Sequence, residues 1–308
     1  MKVLILDTFH ESLQLKLEEN GHECLNMSNS PDSEVLLAMP FAEILVLRSR
    51  MSIRQEQIDA CPNLKIIGRV GAGLEHIDVD YARSRGVKVL SSPEGNRQAV
   101  AEHAIGMLLT LFNNIAKSNN EVRDGLWMRK ENEGAELAGK TIGIIGYGNT
   151  GSAFAQVLSG FGVKVLAFDK YKTSFEFESR MDQIFSEADI VSLHLPLNAE
   201  TKYLVNDTWI HSFQKPFYLI NTSRGPIVNT EDLIQAINQK HILGACLDVL
   251  EYETENLKMP PIKELPTSAL DLMKCGRVIL SPHIAGLTKE SYEKLSKILA
   301  EKILVASS

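Results

Sequence analysis

The sequence has few cysteines, and they are scattered. The four of them, Cys24, Cys61, Cys246 and Cys275, form no Cys-x-x-Cys pair. In a chain of 308 residues this distribution predicts reduced, buried thiols rather than a disulfide framework or a zinc site. We therefore expect no residue to act as a metal ligand.

Long apolar runs and runs of one charge sign are also missing. No stretch approaches the roughly 20 apolar residues that a helix needs to cross a bilayer. The N-terminal MKVLILDTFH meets Asp7 too early for the apolar core of a signal peptide. The formal net charge is −7, and Lys and Arg do not cluster. These features disfavour nucleic-acid and membrane partners and predict a soluble cytoplasmic protein.

Short apolar runs alternate with amphipathic stretches, which is typical of parallel sheets covered by helices. We predict two such series, separated by a long apolar helix over 97–119 and an irregular stretch over 121–140 that contains Trp127. The predicted strands of the first series are 2–7, 42–49, 64–73 and 87–93. Those of the second series are 140–146, 163–169, 189–195, 217–223, 244–250 and 278–284.

The two series predict an α/β fold with two doubly wound parallel-sheet domains and a cleft between them. The first domain would contain residues 1–96, and the second would contain residues 97–286. An amphipathic helix ends the chain, and Thr288 is its expected N-cap. We expect this last segment, 287–308, to return to the first domain.

A glycine motif, GYGNTG, follows the first strand of the second series. Gly146, Gly148 and Gly151 have the spacing of a dinucleotide-binding turn. The first glycine permits the tight bend, the second lets a pyrophosphate approach the backbone, and the third lets the helix pack on the strand. Asp169 ends the next strand, about 20 residues after the motif, where an acid binds the adenosine ribose and repels a 2′-phosphate. Lys170 and Lys172 lie close by and soften this preference for NAD over NADP. The motif predicts NAD as cofactor, the alternative being a glycine-rich turn in an unrelated α/β fold.

Three strands of the second series are each followed by a residue type suited to catalysis. Arg224 follows one strand, Glu251 and Glu253 follow the next, and His283 follows the last. Because parallel strands end at one edge of a sheet, we expect these side chains to stand where a nicotinamide ring would lie. Taken singly, each is more often a structural or solvated residue, but their joint placement favours a catalytic set.

Such a set suits hydride transfer to and from a 2-hydroxy acid. Arg224 would clamp the substrate carboxylate with two hydrogen bonds and polarise the carbonyl. Histidine has an ordinary pKa of roughly 6.5, so His283 would take the hydroxyl proton during oxidation and return it during reduction. One of the two glutamates would orient the imidazole, and the cofactor would supply the hydride chemistry.

Six segments, in the same order, resemble the D-isomer-specific 2-hydroxyacid dehydrogenase family. They are 94–109, 136–151, 193–206, 219–233, 244–253 and 281–291. The resemblance implies a catalytic set of Arg224, Glu253 and His283, and it leaves Glu251 facing solvent. It also implies a homodimer with the irregular stretch 121–140 in its interface.

The same resemblance implies the roles of the two domains and their binding residues. The second would be a Rossmann dinucleotide domain and the first a flavodoxin-like substrate domain. NAD would contact Gly146, Tyr147, Gly148, Asn149, Thr150, Gly151, Asp169, His194, Pro196, Thr222, Ser223 and Asp248. The substrate would contact Arg48, Ser49, Arg50, Val70, Gly71, Ala72 and Asn96. Of these, His194 and Pro196 would border the adenine, and Thr222, Ser223 and Asp248 would lie at the nicotinamide end.

Within the family, the chain is most similar to phosphoglycerate dehydrogenases in a short form without a regulatory domain. Arg48 and Arg50 are two apart and point to the same side of a strand, where they would meet a phosphate. This makes 3-phospho-D-glycerate the leading substrate. The alternatives are a glyoxylate or hydroxypyruvate reductase and a non-catalytic NAD-binding protein similar to the C-terminal-binding-protein corepressors. A formate or phosphite dehydrogenase would need other active-site residues.

The chain also departs from the family pattern. Thr254 stands where proline is usual, so we expect Glu253 to be less firmly held. Asn149 and Thr150 replace the more usual Arg-Ile pair, and Ala285 stands where glycine is common. The stretch 254–282 is longer than usual. These departures bear on substrate identity and loop geometry more than on the chemistry.

Overall fold

Two parallel sheets organise the computed structural model, which describes residues 1–254 and 257–307. Each sheet belongs to its own compact unit. The first unit contains Met1–Arg97, Leu257, Lys258 and residues 287–307, and the second contains Gln98–Thr254 and Met259–Gly286. The prediction of two parallel-sheet α/β bodies is confirmed.

The first unit has a five-stranded sheet with the order β2-β1-β3-β4-β5, which is the flavodoxin-like order. Its strands are β1 (Lys2–Ile5), β2 (Glu23–Asn26), β3 (Ile44–Leu47), β4 (Ile66–Arg69) and β5 (Lys88–Ser91). The connecting helices are α1 (Ser12–Glu19), α2 (Asp32–Ala38), α3 (Gln55–Asp59) and α4 (Val79–Ser84). All four predicted strands are confirmed. The edge strand β2 was not predicted, because it has no continuous apolar run and is mostly exposed.

The predicted long helix over 97–119 is wrong as a single element. It is divided into α5 (Arg97–Phe112) and α6 (Ile115–Arg123), because Asn114 adopts a left-handed φ of 51°. The apolar face of α5 is buried, whereas every side chain of α6 stays at least partly exposed. Within residues 1–254 and 257–307, no single helix is long and apolar enough to cross a membrane. Only α5 and α6 together reach that length and composition, and they are bent by 60°.

The second unit has a six-stranded parallel sheet with the order β11-β10-β9-β8-β6-β7. Its strands are β6 (Thr141–Ile145), β7 (Lys164–Phe168), β8 (Ile190–Leu193), β9 (Phe217–Asn221), β10 (Ile242–Leu247) and β11 (Val278–Leu280). Its remaining helices are α7 (Asn149–Val157), α8 (Met181–Glu187), α9 (Asp207–Ile210), α10 (Thr230–Asn238) and α11 (Thr267–Lys274). All six predicted strands are confirmed. The strand order reverses between β6 and β8, and ligands of such sheets bind at that reversal.

The last helix, α12 (Lys289–Ser307), packs on the first sheet. Leu299 and Ile303 are fully buried there, and Gly68 of β4 leaves the space that the end of Ile303 occupies. Thr288 is the N-cap, as predicted, because its Oγ1 accepts a hydrogen bond of 3.0 Å from the amide of Ser291.

Short 3-10 turns occur at Met39–Phe41, Lys130–Asn132, Leu158–Gly160, Gly225–Ile227 and Ile262–Glu264. The last of these and α11 lie within the long stretch predicted over 254–282, of which Glu255 and Asn256 are outside the described residues. The four cysteines are free thiols, but only Cys61 and Cys246 are buried, so the expectation of burial is wrong for Cys24 and Cys275, which are half-buried. Burial raises the pKa of Cys61 to about 11, so this thiol is unreactive at neutral pH.

Candidate active site

The glycine motif forms the turn between β6 and α7, and its three glycines meet three different constraints. Gly146 has a φ of 93°, and a Cβ there would collide with the carbonyl oxygen of His194. A Cβ on Gly151 would collide with the carbonyl oxygen of Gly146. At Gly148, by contrast, a Cβ would meet no described atom within 4 Å. The turn is therefore closed at its first and third glycines and open at the second, as a pyrophosphate requires.

Asp169 stands at the end of β7, next to this turn. Its carboxylate accepts hydrogen bonds from the backbone amides of Tyr147 at 2.8 Å, Tyr171 at 2.9 Å and Lys172 at 3.0 Å. Burial alone would raise the pKa of Asp169, but the three amides outweigh it and hold the pKa below its usual value. The acid is thus ionised and tied to the glycine turn, where a carboxylate would disfavour a 2′-phosphate.

A buried histidine supports the same turn. His194 follows β8, and its Nδ1 lies 3.2 Å from Oγ1 of Thr150 while its Nε2 lies 2.9 Å from Oγ of Ser192. Burial lowers the pKa of His194 to about 3, so the ring is neutral. Two more predicted cofactor residues lie near these loops. Asn149 is the first residue of α7. Pro196 follows β8, and its carbonyl accepts a 2.6 Å hydrogen bond from Oγ1 of Thr201.

Two residues after β9 differ in what their hydroxyl groups do. Oγ1 of Thr222 is buried and makes no hydrogen bond with any described residue. Oγ of Ser223 donates to the carbonyl of Leu193 at 2.7 Å and accepts from the amide of Leu195 at 3.0 Å, so it joins two loops. The open glycine turn, the ionised acid and the unsatisfied Thr222 hydroxyl together fit a dinucleotide at this edge of the sheet.

The structure brings two members of the predicted catalytic set into direct contact. Oε2 of Glu253 lies 2.7 Å from Nδ1 of His283. Their side chains are 13% and 21% exposed, so the pair is shielded but still reachable. Glu253 follows β10 and His283 follows β11, and these strands are neighbours. Since Nδ1 faces the carboxylate, Nε2 is the nitrogen left for a substrate.

The third member, Arg224, follows β9, which is the other neighbour of β10. Its Nη1 donates a hydrogen bond of 2.7 Å to the carbonyl of Ser223. The turn after it packs directly on the turn after β10, because a Cβ on Gly225 would collide with the carbonyl oxygen of Leu250. The arginine, the glutamate and the histidine thus occupy three consecutive strand ends, as the sequence predicted.

A family model for the D-isomer specific 2-hydroxyacid dehydrogenase, NAD binding domain, matches residues 105–285. The chain is also 34% identical to the hydroxypyruvate reductase of Thermotoga maritima over 296 residues, which is 95% of the chain and 94% of the relative. The chain belongs to the D-isomer-specific 2-hydroxyacid dehydrogenase family. It is an NAD-dependent oxidoreductase, and the predicted family, enzyme class and cofactor are confirmed.

Two further comparisons bear on this dehydrogenase. It is 33% identical to the D-3-phosphoglycerate dehydrogenase of Archaeoglobus fulgidus over 310 residues, covering 99% of the chain but 57% of the relative. The chain therefore spans little more than half of that relative's length. The crystal structure of the D-lactate dehydrogenase of Aquifex aeolicus, complexed with NAD and lactic acid, matches with a TM-score of 0.80. That match has 27% identity and covers 99% of the chain and 95% of that structure.

Glu253 of the dehydrogenase is held without the usual proline after it. Its Oε1 accepts a hydrogen bond of 2.5 Å from the amide of Leu250, and its own amide donates to the Leu250 carbonyl at 3.2 Å. Two hydrogen bonds with Leu250 thus hold the glutamate, and whether Thr254 leaves it less firmly held than a proline would stays a prediction. A closed turn fixes the carboxylate from the opposite side to His283.

Glu251 is not the solvent-facing acid that the sequence predicted. Its two carboxylate oxygens accept hydrogen bonds from the hydroxyl of Tyr203 at 3.0 Å and from the amide of Thr230 at 2.8 Å. Thr230 is the first residue of α10, where the free amides of a helix favour a carboxylate. Glu251 thus ties the turn after β10 to two other loops of the same unit.

Asp248, which was predicted to lie at the nicotinamide end, has a carboxylate that binds the loop after β11. The residue is 1% exposed. Its Oδ1 accepts from Oγ of Ser281 at 2.6 Å and from the amide of Ile284 at 2.9 Å, and its Oδ2 accepts from the amide of Ala285 at 2.9 Å. Its partners are therefore in the loop that carries His283.

In the first unit, the structure separates the two predicted phosphate ligands. The guanidinium of Arg50 donates to four backbone carbonyls, those of Leu6, Met27, Ser28 and Ser30, and to the carboxylate of Asp32. These bonds use all five of its N–H donors, so Arg50 has a structural role rather than the predicted one. The guanidinium of Arg48 lies over the ring of Tyr292, 4.6 Å from its centroid.

The predicted carboxylate-binding amides are also only partly available. The amide of Val70 donates to the Leu47 carbonyl at 2.9 Å, which removes it from the predicted set. Gly71 has a φ of 147°, and a Cβ on it would collide with the guanidinium of Arg69. Arg69, which was not predicted, is 8% exposed, and its Nε donates to the Arg48 carbonyl at 3.2 Å. Arg69 lies directly before the VGAG segment, and this position in the sequence could have marked it as a candidate substrate-site residue.

Three predicted substrate residues remain at these loops. Ser49 lies between the two arginines, and Ala72 is exposed beside Gly71. Oδ1 of Asn96 is buried without a hydrogen bond from the described residues. Such an orphaned acceptor is uncommon in folded proteins and fits a residue that binds a ligand.

Proposed function

We propose that the chain oxidises 3-phospho-D-glycerate with NAD and reduces the corresponding 2-oxo acid. The 2.7 Å contact between Glu253 and His283, at the strand end next to that of Arg224, carries the proposal that the chain is a working enzyme. The D-3-phosphoglycerate dehydrogenases among its relatives support the substrate.

In this proposal Arg224 binds the substrate carboxylate and the oxygen on C2. Nδ1 of His283 carries its hydrogen toward Glu253, which leaves Nε2 unprotonated and able to take the proton of the C2 hydroxyl. Glu253 then stabilises the imidazolium and keeps the ring oriented. NAD, which the glycine turn and Asp169 would hold, would supply the hydride acceptor for C2.

The two units have different roles in the proposal. The second binds NAD through the glycine turn, Asp169 and Thr222, as its matched family model suggests. The first supplies the amides of Gly71 and Ala72 and the side chain of Asn96 for the substrate.

A phosphate on the substrate would meet Arg48 and Arg69 rather than Arg50. Stacking on Tyr292 restricts Arg48, and the bond from Arg69 to the Arg48 carbonyl joins the two residues. We expect Arg48→Met to raise KM for 3-phospho-D-glycerate at least 10-fold, because a charge-assisted contact contributes about 1.5–3 kcal/mol. Arg83→Met is the control, since Arg83 is an exposed cation on α4.

A hydroxypyruvate reductase is the second candidate, and one observation favours it. The chain is 34% identical to the Thermotoga maritima hydroxypyruvate reductase over 296 residues, which is as similar as it is to the Archaeoglobus fulgidus D-3-phosphoglycerate dehydrogenase, at 33% over 310 residues. Steady-state rates with 3-phospho-D-glycerate, D-glycerate, hydroxypyruvate and glyoxylate separate the two. A preference for the phosphorylated acid supports the first proposal, whereas equal or better use of hydroxypyruvate supports the second. No turnover of any of them would contradict both candidates.

We also propose that the partner of the chain is a second copy of itself. Five large apolar side chains of α6 and the stretch after it are exposed by 40–76%, namely Ile115, Val122, Leu126, Trp127 and Met128. A cluster of this kind marks a protein interface more often than a solvated surface. Light scattering after gel filtration should give a dimer for the parent chain and a monomer for Trp127→Glu, and a monomeric parent would contradict this.

A further inference from the structure

A chain of hydrogen bonds runs from helix α5 to the loop of His283. Nε2 of His103 lies 2.9 Å from Oγ of Ser281, and that hydroxyl donates to Oδ1 of Asp248 at 2.6 Å. Nε2 of His103 is also 3.5 Å from the same carboxylate oxygen. All three residues belong to the second unit.

The direction of these bonds assigns the hydrogen atoms. Burial would raise the pKa of Asp248, but hydrogen bonds from His103, Ser281 and the loop amides outweigh it and lower the pKa. The ionised carboxylate can only accept, so the single hydroxyl hydrogen of Ser281 points to it. Met107 Sδ, at 3.6 Å, is a much weaker acceptor. His103 must therefore donate from Nε2, which fixes the hydrogen on that nitrogen.

At its other end, this series of hydrogen bonds fixes the backbone conformation around His283. Asp248 holds the amides of Ile284 and Ala285 with its carboxylate, and its carbonyl accepts from the His283 amide at 2.7 Å. His283 itself has a φ of 55°, a left-handed conformation that costs a non-glycine residue free energy. The bonds to Asp248 thus hold a conformation that His283 would not prefer by itself.

We propose that His103 is a positioning residue for the proton-transferring histidine. By donating to Ser281 it fixes the Asp248 carboxylate, which holds the left-handed turn that directs Nδ1 of His283 onto Glu253. The inference rests on the proposed function, in which His283 moves the proton. It adds a residue of helix α5 to the machinery that sets the geometry of that step.

Two variants break this series of hydrogen bonds at different residues. His103→Leu removes the donor, and Ser281→Ala removes only one oxygen atom and serves if His103→Leu does not fold. His103→Gln is the rescue variant, because its side-chain amide can donate to the same hydroxyl. Glu102→Gln is the control, since Glu102 is the exposed neighbour on α5 and accepts from Gln98 at 2.8 Å.

For each variant, kcat, KM, the pH profile of kcat/KM and the Kd for NADH would be measured. A displaced general base predicts a fall in kcat of about 10- to 100-fold with a shifted pH profile for His103→Leu and Ser281→Ala. The Kd for NADH should stay within about threefold, and His103→Gln should recover most of the rate.

The inference is overturned if both variants keep the parent kcat and pH profile, or if His103→Gln is no better than His103→Leu. His283→Asn separates the two proposals. If His283→Asn keeps full turnover, the proposed function fails first. If it is inactive while both interrupting variants behave as the parent, the positioning role of His103 alone is wrong.

Discussion

Glu253 and His283 are 30 positions apart in the sequence, yet Oε2 of one lies 2.7 Å from Nδ1 of the other. Two local structures produce the contact. The turn after β10 closes on itself through Leu250 and presents the carboxylate, and the left-handed His283 presents the ring. Because the two strands are neighbours in a parallel sheet, their carboxyl ends lie side by side although a long segment of the chain connects them.

The first prediction concerns this pair. Glu253→Gln keeps the size of the side chain but cannot stabilise an imidazolium by charge. We expect kcat to fall about 100-fold while the Kd for NADH changes little, since a general acid–base pair contributes about 10²–10⁴-fold. Glu231→Gln, an exposed acid in the first turn of α10, is the control. A Glu253→Gln enzyme with parental kcat would remove the glutamate from the catalytic set.

The second prediction separates binding from folding at the glycine turn. Gly148→Ala adds a methyl group to open space and should leave the melting temperature close to the parent value, yet weaken NADH binding at least 10-fold. Gly151→Ala forces a methyl group onto the Gly146 carbonyl and should lower the free energy of unfolding by about 1–3 kcal/mol. Fluorescence titration and thermal melting measure both effects. Equal losses of stability in the two variants would contradict the assignment.

The third prediction tests Glu251 as a link between loops. Glu251→Ala leaves the Thr230 amide and the Tyr203 hydroxyl without their acceptor and should lower the free energy of unfolding by about 1–3 kcal/mol. Glu251→Gln, which keeps an acceptor oxygen, should lose less. Denaturant unfolding measures the difference. If the alanine variant is as stable as the parent, these two contacts contribute little to folding.

The fourth prediction concerns pH. The folded chain keeps His194 neutral down to a pKa of about 3, whereas an unfolded histidine takes up a proton near pH 6.5. Between these values the unfolded state binds the extra proton, so the stability tied to His194 is complete above pH 6.5 and is lost as the pH falls toward 3. The expected slope is about 1.4 kcal/mol per pH unit in that window.

His194→Gln removes the group that takes up this proton in the unfolded state. The free energy of unfolding of the variant should therefore change less steeply with pH, by about the slope given above. Denaturant unfolding of both proteins between pH 7 and pH 5 gives the comparison. Parallel curves for the parent and the variant would show that His194 also protonates in the folded state.

Much of this arrangement follows from local sequence signals. Central parallel strands are buried on both faces, so each appears as a short apolar run, and all ten predicted strands are present. The glycine spacing was informative for the same reason, since Gly146 and Gly151 occupy positions where no larger residue fits. Predicting that Arg224, Glu253 and His283 meet at one edge needed only the rule that parallel strands share an edge.

The signals fail where the outcome depends on contacts made in the folded chain. No glycine or proline follows Phe112 to end the helix, and only the left-handed backbone of Asn114 divides it. Arg50 looked equivalent to Arg48 by strand alternation, but the carbonyls of distant loops use its donors. Glu251 was expected in solvent because its partner Thr230 begins helix α10, 21 positions away in the sequence.

The most direct test of the central claim is NADH formation from the two enantiomers of a 2-hydroxy acid by the parent and by His283→Asn. The 3-phosphoglycerates and the glycerates are the natural pairs to use. The account predicts turnover of the D-isomer by the parent, at least 100-fold slower turnover by His283→Asn, and no comparable rate with the L-isomer. Equal or better activity on the L-isomer, or an unimpaired His283→Asn enzyme, would contradict it.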